Sequence, residues 1–96
     1  MTTDEPLIVL LVEDNLAHAE MVIRNFQDHQ VPNKIYHVLD GEAALDFLYH
    51  RGRFSDPTTS PRPHVILLDL RLPKINGLQV LQKIKTDETL LSIPVI

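Results

Sequence analysis

Acidic residues follow two apolar segments of this sequence, where their carboxylates could act together. Asp69 directly follows the apolar residues of HVILLDL, and Glu13 and Asp14 follow the run LIVLLV in the same way. Carboxylates held close together raise one another's pKa and destabilise a fold unless a cation neutralises them. Mg²⁺ is typically held by one or two carboxylates together with water and phosphate oxygens, and an Asp can attack phosphorus to form an aspartyl phosphate. The three acids therefore predict a Mg²⁺ site with Asp69 placed as the nucleophile.

Each acid taken alone has a simpler explanation as a helix cap, because side chains after a strand often cap the next helix. Asn15 and Asn76 are better placed for that role in the two helices concerned. The five histidines lack the spacing of a metal motif such as HExxH, and the three glycines form no phosphate-binding motif. We therefore expect ordinary surface or strand-face histidines, and we favour the acids as the functional site.

The composition indicates one small globular domain, residues 1–96, and argues against several functions. Apolar residues make up 44% of the chain, which is enough for a core, and there is no cysteine for a disulfide or a Cys-based zinc site. The net charge is −4 and the basic residues form no cluster, so we expect no direct binding of nucleic acid. The N-terminal apolar run is short and ends in acids, which fits neither a signal peptide nor a membrane span. We therefore predict a cytoplasmic protein that does not contact the membrane.

Strands and helices are predicted to alternate along the chain. Apolar runs indicate strands at 7–12, 34–39 and 64–68 and the start of a fourth at 93–96. Residues suited to cap a helix follow the first three strands: Asn15, Asp40 and Asn76. Such alternation predicts an α/β fold with a parallel sheet, right-handed crossovers and helices on both faces. If the first strand lies between the second and third, the strand order reverses between Asp14 and Asp69, which is where such sheets bind ligands.

Apolar residues at helical spacing predict the faces that the helices bury. They are Leu16, Ala19, Val22, Ile23 and Phe26 in the first helix, Ala44, Leu45, Phe47 and Leu48 in the second, and Leu78, Val80, Leu81 and Ile84 in the third. Segment 51–63 contains three prolines and predicts a surface loop with solvated arginines.

With these elements in place, the sequence resembles the receiver domain of two-component response regulators. The motifs that carry the resemblance are LIVLLVEDN, DGEAAL, VILLDLRLPKINGLQVL and IPVI, in register along almost the whole chain. The resemblance implies a flavodoxin-like, doubly wound parallel sheet with strand order 2-1-3-4-5. The proline-rich loop and the segment LPKINGLQVLQKIK are similar to the stand-alone regulators that pair with bacterial phytochrome kinases.

The resemblance also implies a role for each acid. Asp69 would accept a phosphoryl group from the phosphohistidine of a sensor histidine kinase, Asp14 would bind Mg²⁺ and Glu13 would hold a metal-bound water. The backbone carbonyl of Arg71 would complete the metal ligands, while its side chain would stand where attacking water approaches. The protein would be a switch that catalyses only its own phosphorylation and dephosphorylation. Pro73 and Gly77 would shape the loop that closes the pocket.

The sequence departs from the family pattern at its end. The family has a Thr or Ser after strand 4 and a Lys after strand 5, and this chain ends first, at Ile96. We therefore expect a C-terminally incomplete domain, truncated in strand 4, with impaired phosphotransfer. The exposed strand edge and bare apolar surface on strands 1 and 3 would favour a homodimer, strand exchange or aggregation.

Two alternatives remain open from the sequence. One is a phosphatase or phosphotransferase with an Asp nucleophile, although such enzymes resemble DxD and here the second acid is replaced by Arg71. The other is a receiver-like module that binds partners without being phosphorylated.

Overall fold

The computed structural model describes residues 5–29, 32–72 and 76–96. Its elements are β1 (Leu7–Val12), α1 (Leu16–Asp28), β2 (Asn33–Val38), α2 (Gly41–Tyr49), a 3-10 turn (Gly52–Phe54), β3 (Val65–Leu68) and α3 (Gly77–Thr86). The predicted order of elements is confirmed; β2 begins and ends one residue earlier than predicted, and β3 begins one residue later. Pro73, predicted to shape the loop after β3, lies outside the described residues.

The strands form a parallel sheet in the order β2-β1-β3. Leu10 of β1 pairs with Tyr36 on one side and with Ile66 on the other. The central position of β1 is thus confirmed, and the strand order reverses between β1 and β3 as predicted.

The chain's last residues extend the sheet beyond β3. The Ile66 amide donates to the Pro94 carbonyl at 2.9 Å and the Leu68 amide donates to the Ile96 carbonyl at 2.9 Å. Val95 forms a parallel bridge with Ile66. The predicted fourth strand therefore begins at 94–96 in the order 2-1-3-4, while Ile93 precedes it as a buried residue outside the pairing.

Side-chain caps fix where the helices begin. Asn15 accepts from the His18 amide at 3.1 Å, and Asp40 accepts from the Ala43 amide at 2.8 Å. Asn76 and Gln79 form a reciprocal capping box at the start of α3. These contacts satisfy amides that a helix leaves unpaired in its first turn, and they confirm all three predicted caps.

The main core lies between one face of the sheet and helices α2 and α3. Its side chains are contributed by every strand and both helices: Leu10, Val12, Val38, Ala44, Leu45, Phe47, Leu48, Ile66, Leu72, Val80, Ile84, Leu90 and Ile93. Val9 and Leu11 alternate with these β1 residues and therefore face the opposite side, where α1 buries Ala19. Helices thus cover both faces, as predicted. Among the described residues, no helix is long and apolar enough to cross a membrane.

In α1 and α3, the first residue of the predicted buried face is exposed, so the prediction is wrong there. Leu16 is 67% exposed and Leu78 is 63% exposed. Each lies in the first turn of its helix, and helical side chains tilt toward the N-terminus. These leucines therefore project past the edge of the sheet rather than onto it.

The expectation of bare strand surface holds for only one strand. In β1, the residues from Val9 to Val12 are at most 4% exposed, so that part of the prediction is wrong. In β3, Val65, Leu67 and Leu68 are only partly buried.

Segment 51–63 is a mostly exposed surface loop, as predicted, and it also packs against α2. The Phe54 ring lies 5.3 Å from the buried Phe47 ring in an edge-on contact. Ser60 is 2% exposed, and its carbonyl lies 2.9 Å from Nε2 of His50. These contacts attach both ends of the segment to the helix before it.

The arginines of this segment are exposed, as predicted, and two of them also contact other side chains. Arg51 forms an ion pair with Asp46 at 3.2 Å, and its guanidinium lies 5.0 Å from the centre of the Tyr49 ring. Arg53 lies over the Phe54 ring at 4.7 Å. The charges therefore help to pack the segment against α2.

Candidate metal centre

The acids at the ends of β1 and β3 continue the sheet's hydrogen bonding by one residue. The Glu13 amide donates to the Val38 carbonyl at 3.0 Å, and the Asp69 amide donates to the Val12 carbonyl at 3.1 Å. Because the strands are parallel, both acids emerge at the same edge of the sheet. One carboxylate oxygen from each of Glu13, Asp14 and Asp69 lies within 4.8 Å of the others. The structure therefore brings together the three acids that the sequence singled out.

Asp69 is held in an environment that favours its charged form. Its Oδ1 accepts from the Arg71 amide at 2.9 Å, and Nε of Arg71 lies 3.7 Å from the same oxygen. The Arg71 amide, followed by the hydrogen bond with Glu13 and the Arg71 charge, lowers the pKa of Asp69 below its usual range, although burial opposes them.

Glu13 is held in an environment that disfavours its charged form. Its side chain is only 12% exposed, and this burial is the main reason that the pKa of Glu13 is raised. The neighbouring Asp69 raises it further, while the Asn15 amide, 3.3 Å from Oε2, acts in the opposite direction. Two carboxyl groups at one site thus have pKa values moved apart by their surroundings.

These donors fit a hard divalent cation. Carboxylate oxygens are the ligands that Mg²⁺, Mn²⁺ and Ca²⁺ prefer, and a cation here would favour the charged form of Glu13, whose pKa is raised by burial and by Asp69. Asp14 is exposed, so a cation could enter the site from solvent. Arg71 contacts Asp69 through its amide and its guanidinium, and the role of its carbonyl as a ligand stays a prediction.

An open depression of about 330 Å³ lies over this cluster. It is lined by Asp14, Asn15, His18, Asp69 and Arg71. The Arg71 side chain is 85% exposed at its edge. The depression is large enough to admit a phosphoryl group with its water molecules to the Asp69 carboxylate.

Two histidines at the site were missed by the sequence interpretation. His18 Nδ1 lies 3.5 Å from Oε1 of Glu13, and His37 Nε2 lies 2.7 Å from the main-chain carbonyl oxygen of Glu13. Metal-motif spacing could not identify them because they lie on α1 and β2. The available signal was register: His37 pairs with Leu11, two residues before Glu13.

Gly77 fixes the approach of α3 to the site. A Cβ atom at this position would lie 2.3 Å from Cα of Leu70 and 2.6 Å from the carbonyl oxygen of Asp69. Only glycine leaves room for the start of α3 to pack directly on the backbone of Asp69 and Leu70. Gly77 therefore constrains the loop that follows Asp69.

Comparison with known proteins agrees with this geometry. Residues 9–96 match the family model for the response regulator receiver domain. The chain is 43% identical, over its full length, to the probable methanogenesis regulatory protein FilR2 of Methanothrix harundinacea, of which it covers 59%. It is 38% identical to response regulator Rcp1 of Synechocystis over 98% of this chain and 62% of that protein.

Two solved structures share this arrangement of the chain. The phosphorylated cyanobacterial phytochrome response regulator RcpA aligns with a TM-score of 0.86 and 38% identity, over 95% of this chain and 63% of that one. The Mn²⁺-bound form of Rcp1 aligns with a TM-score of 0.87 and 40% identity, over 94% of this chain and 63% of that one. The chain therefore spans about three fifths of the length of these relatives.

Proposed function

Because this chain belongs to the response regulator receiver domain family, we propose that it relays a phosphoryl signal through Asp69. The observation that carries the proposal is the cluster of Glu13, Asp14 and Asp69 at the carboxyl edge of the sheet, within 4.8 Å and open to solvent. Receiver domains bind a divalent metal, and we propose that here the ion is Mg²⁺, held by these three acids and the Arg71 carbonyl. Residues 1–96 would act as one receiver unit.

The proposed donor is a phosphohistidine of a sensor histidine kinase. The likeness to phytochrome regulators supports a bacterial phytochrome as that kinase. The composition and the family support a cytoplasmic location for this protein. They also support another protein as its partner, rather than nucleic acid or a membrane. The protein would be a switch whose only chemistry is its own phosphorylation and dephosphorylation.

The contacts of Asp69 indicate how the transfer would proceed. Its Oδ1 is engaged by the Arg71 amide at 2.9 Å, so we assign Oδ2 as the nucleophile. An Oδ2 lone pair would form the new P–O bond as the P–N bond of the phosphohistidine breaks, and the imidazole would leave with that electron pair. The lowered pKa of Asp69 keeps it ionised for this attack at neutral pH. When bound, the divalent ion would supply positive charge for the phosphoryl oxygens.

Arg71 would act on both sides of this reaction. Its amide orients Asp69, while its exposed side chain lies beside the opening through which water must approach. We therefore infer that the Arg71 side chain affects the lifetime of the acyl phosphate more than its formation.

The test is incorporation of phosphate from acetyl phosphate or a phosphorylated kinase with Mg²⁺. We expect the protein to gain one phosphoryl group that is stable to acid and labile to hydroxylamine. Asp69→Asn should take none, and Asp46→Asn, which changes an acid away from the site, should be labelled normally. Because the sequence predicts impaired transfer, labelling is followed over hours; no label at the end of that time, or equal labelling of Asp69→Asn, would refute the proposal.

A further inference from the structure

A second strand contributes to the acidic site without supplying an acid. His37 of β2 is partly buried, and its Nε2 lies 2.7 Å from the main-chain carbonyl oxygen of Glu13. Because a carbonyl oxygen only accepts hydrogen bonds, Nε2 must carry the proton and donate. The bond links β2 to the turn that follows β1.

This carbonyl belongs to the peptide unit that joins Glu13 to Asp14. The peptide group is planar, so the Glu13 carbonyl and the Asp14 amide turn together as one rigid unit. The preceding peptide is held separately, since the Glu13 amide donates to the Val38 carbonyl at 3.0 Å. Consecutive residues of β2 thus fix both peptide units that flank Glu13.

We propose that His37 is a positioning residue for the divalent metal site, acting through the Glu13–Asp14 peptide. The proposal rests on the function proposed above. The directions in which the Glu13 and Asp14 side chains leave the backbone depend on the rotation of that peptide. Without the bond, the turn can sample other rotations, and the two carboxylates spend less time in the arrangement that binds a cation.

A control lies at the amino end of β1, on the side of β3. His64 Nδ1 accepts from the Ile8 amide at 2.9 Å. This is also a bond between a histidine ring and the β1 backbone, but it lies at the amino end, away from the acids. The His64 bond is more exposed than the His37 bond, so urea denaturation measures the stability cost of each separately, and of the two only the His37 bond touches the metal site.

The test measures Mn²⁺ affinity by electron paramagnetic resonance, together with urea denaturation, for His37→Phe, His37→Gln and His64→Phe. We expect His37→Phe, which keeps a ring but loses the donor, to bind Mn²⁺ about 3- to 10-fold more weakly. His37→Gln can still donate and should recover most of the affinity, and His64→Phe should bind like the unsubstituted protein.

Each contrary result has a distinct meaning. Unchanged affinity in His37→Phe, or an equal loss in His64→Phe, overturns the positioning role while leaving the metal site intact. If the unsubstituted protein binds no Mn²⁺ at millimolar concentration, the metal site is itself wrong and this proposal fails with it.

Discussion

Glu13 and Asp69 are both carboxylic acids at strand ends, yet their environments shift their pKa values in opposite directions. Asp69 accepts a main-chain amide and lies beside a guanidinium, while Glu13 is more buried and faces Asp69. In the metal-free protein, Glu13 is therefore the group that would take up a proton first. The Arg71 charge lies beside Asp69, so a cation at this site would act most on the charged form of Glu13.

The first prediction is that Glu13→Gln stabilises the metal-free protein at pH 7. Because burial and Asp69 raise the pKa of Glu13, the folded protein binds this proton more tightly than the unfolded chain. The stability that Glu13 contributes therefore falls as the pH rises above 4.5, the ordinary pKa of a glutamate, and it is not regained at higher pH. Glutamine should raise the melting temperature by a few degrees at pH 7, and this gain should vanish near pH 4.

With added Mg²⁺, the unsubstituted protein should become more stable than Glu13→Gln. The unsubstituted protein should be stabilised by the ion through mass action, whereas Glu13→Gln should respond weakly because it has lost one acid of the cluster. Thermal unfolding with EDTA and with Mg²⁺ provides the measurement, and Glu20→Gln, on an exposed acid of α1, is the control. A Glu13→Gln protein that is less stable than the original in EDTA at pH 7 would contradict this account of the pKa.

The second prediction concerns Gly77. In Gly77→Ala, the added methyl group meets backbone atoms of Asp69 and Leu70, which cannot rotate away as a side chain could. We expect a loss of about 3 kcal/mol in the free energy of unfolding, with weaker Mg²⁺ binding because the loop after Asp69 must move. Urea denaturation measures the first effect and metal titration the second.

Gly52 provides the comparison for that variant. It has a φ of +57°, but a Cβ there would meet only Oδ2 of Asp46, at 3.8 Å. Gly52→Ala should cost about 1 kcal/mol, for left-handed backbone strain alone, and should leave Mg²⁺ binding unchanged. If both alanine variants had the same two effects, close packing at Gly77 would not be the cause.

Sequence was sufficient for the acids of the site but not for its histidines. Apolar runs show where buried strands end, and parallel strands bring those ends together, so Glu13, Asp14 and Asp69 could be grouped without coordinates. His37 acts on a main-chain carbonyl. Every residue has such a carbonyl, so nothing in the residue types identifies the partner, and only the three-dimensional register shows it.

At the scale of elements, the sequence predicted type and order better than extent. The buried faces of α2 were correct because Ala44, Leu45, Phe47 and Leu48 lie over the middle of the sheet. Periodicity was misleading at Leu16 and Leu78, because it shows which side of a helix is apolar but not where the opposing sheet ends. Helix propensity and pattern are local, whereas the sheet edge is set by strands distant in the chain.

The third prediction concerns the segment after α2. The Phe54 ring contacts the buried Phe47 ring, which also contacts the Tyr36 ring at 5.4 Å. Phe54→Ala should lower the free energy of unfolding by about 1–2 kcal/mol, from lost apolar burial and ring contact. It should also release the segment locally, so that trypsin cleaves faster at Arg51 and Arg53.

The neighbouring exposed Ser55 supplies the control for that experiment. Ser55→Ala should change neither urea stability nor the rate of cleavage. If Phe54→Ala were cleaved no faster than Ser55→Ala, the Phe54 ring would not be what holds the segment against α2.

At the scale of the whole molecule, the acidic cluster lies at the carboxyl edge of the sheet, within a chain of net charge −4. The parallel strands place these acids together, so this edge suits a divalent cation together with a charged phosphoryl group.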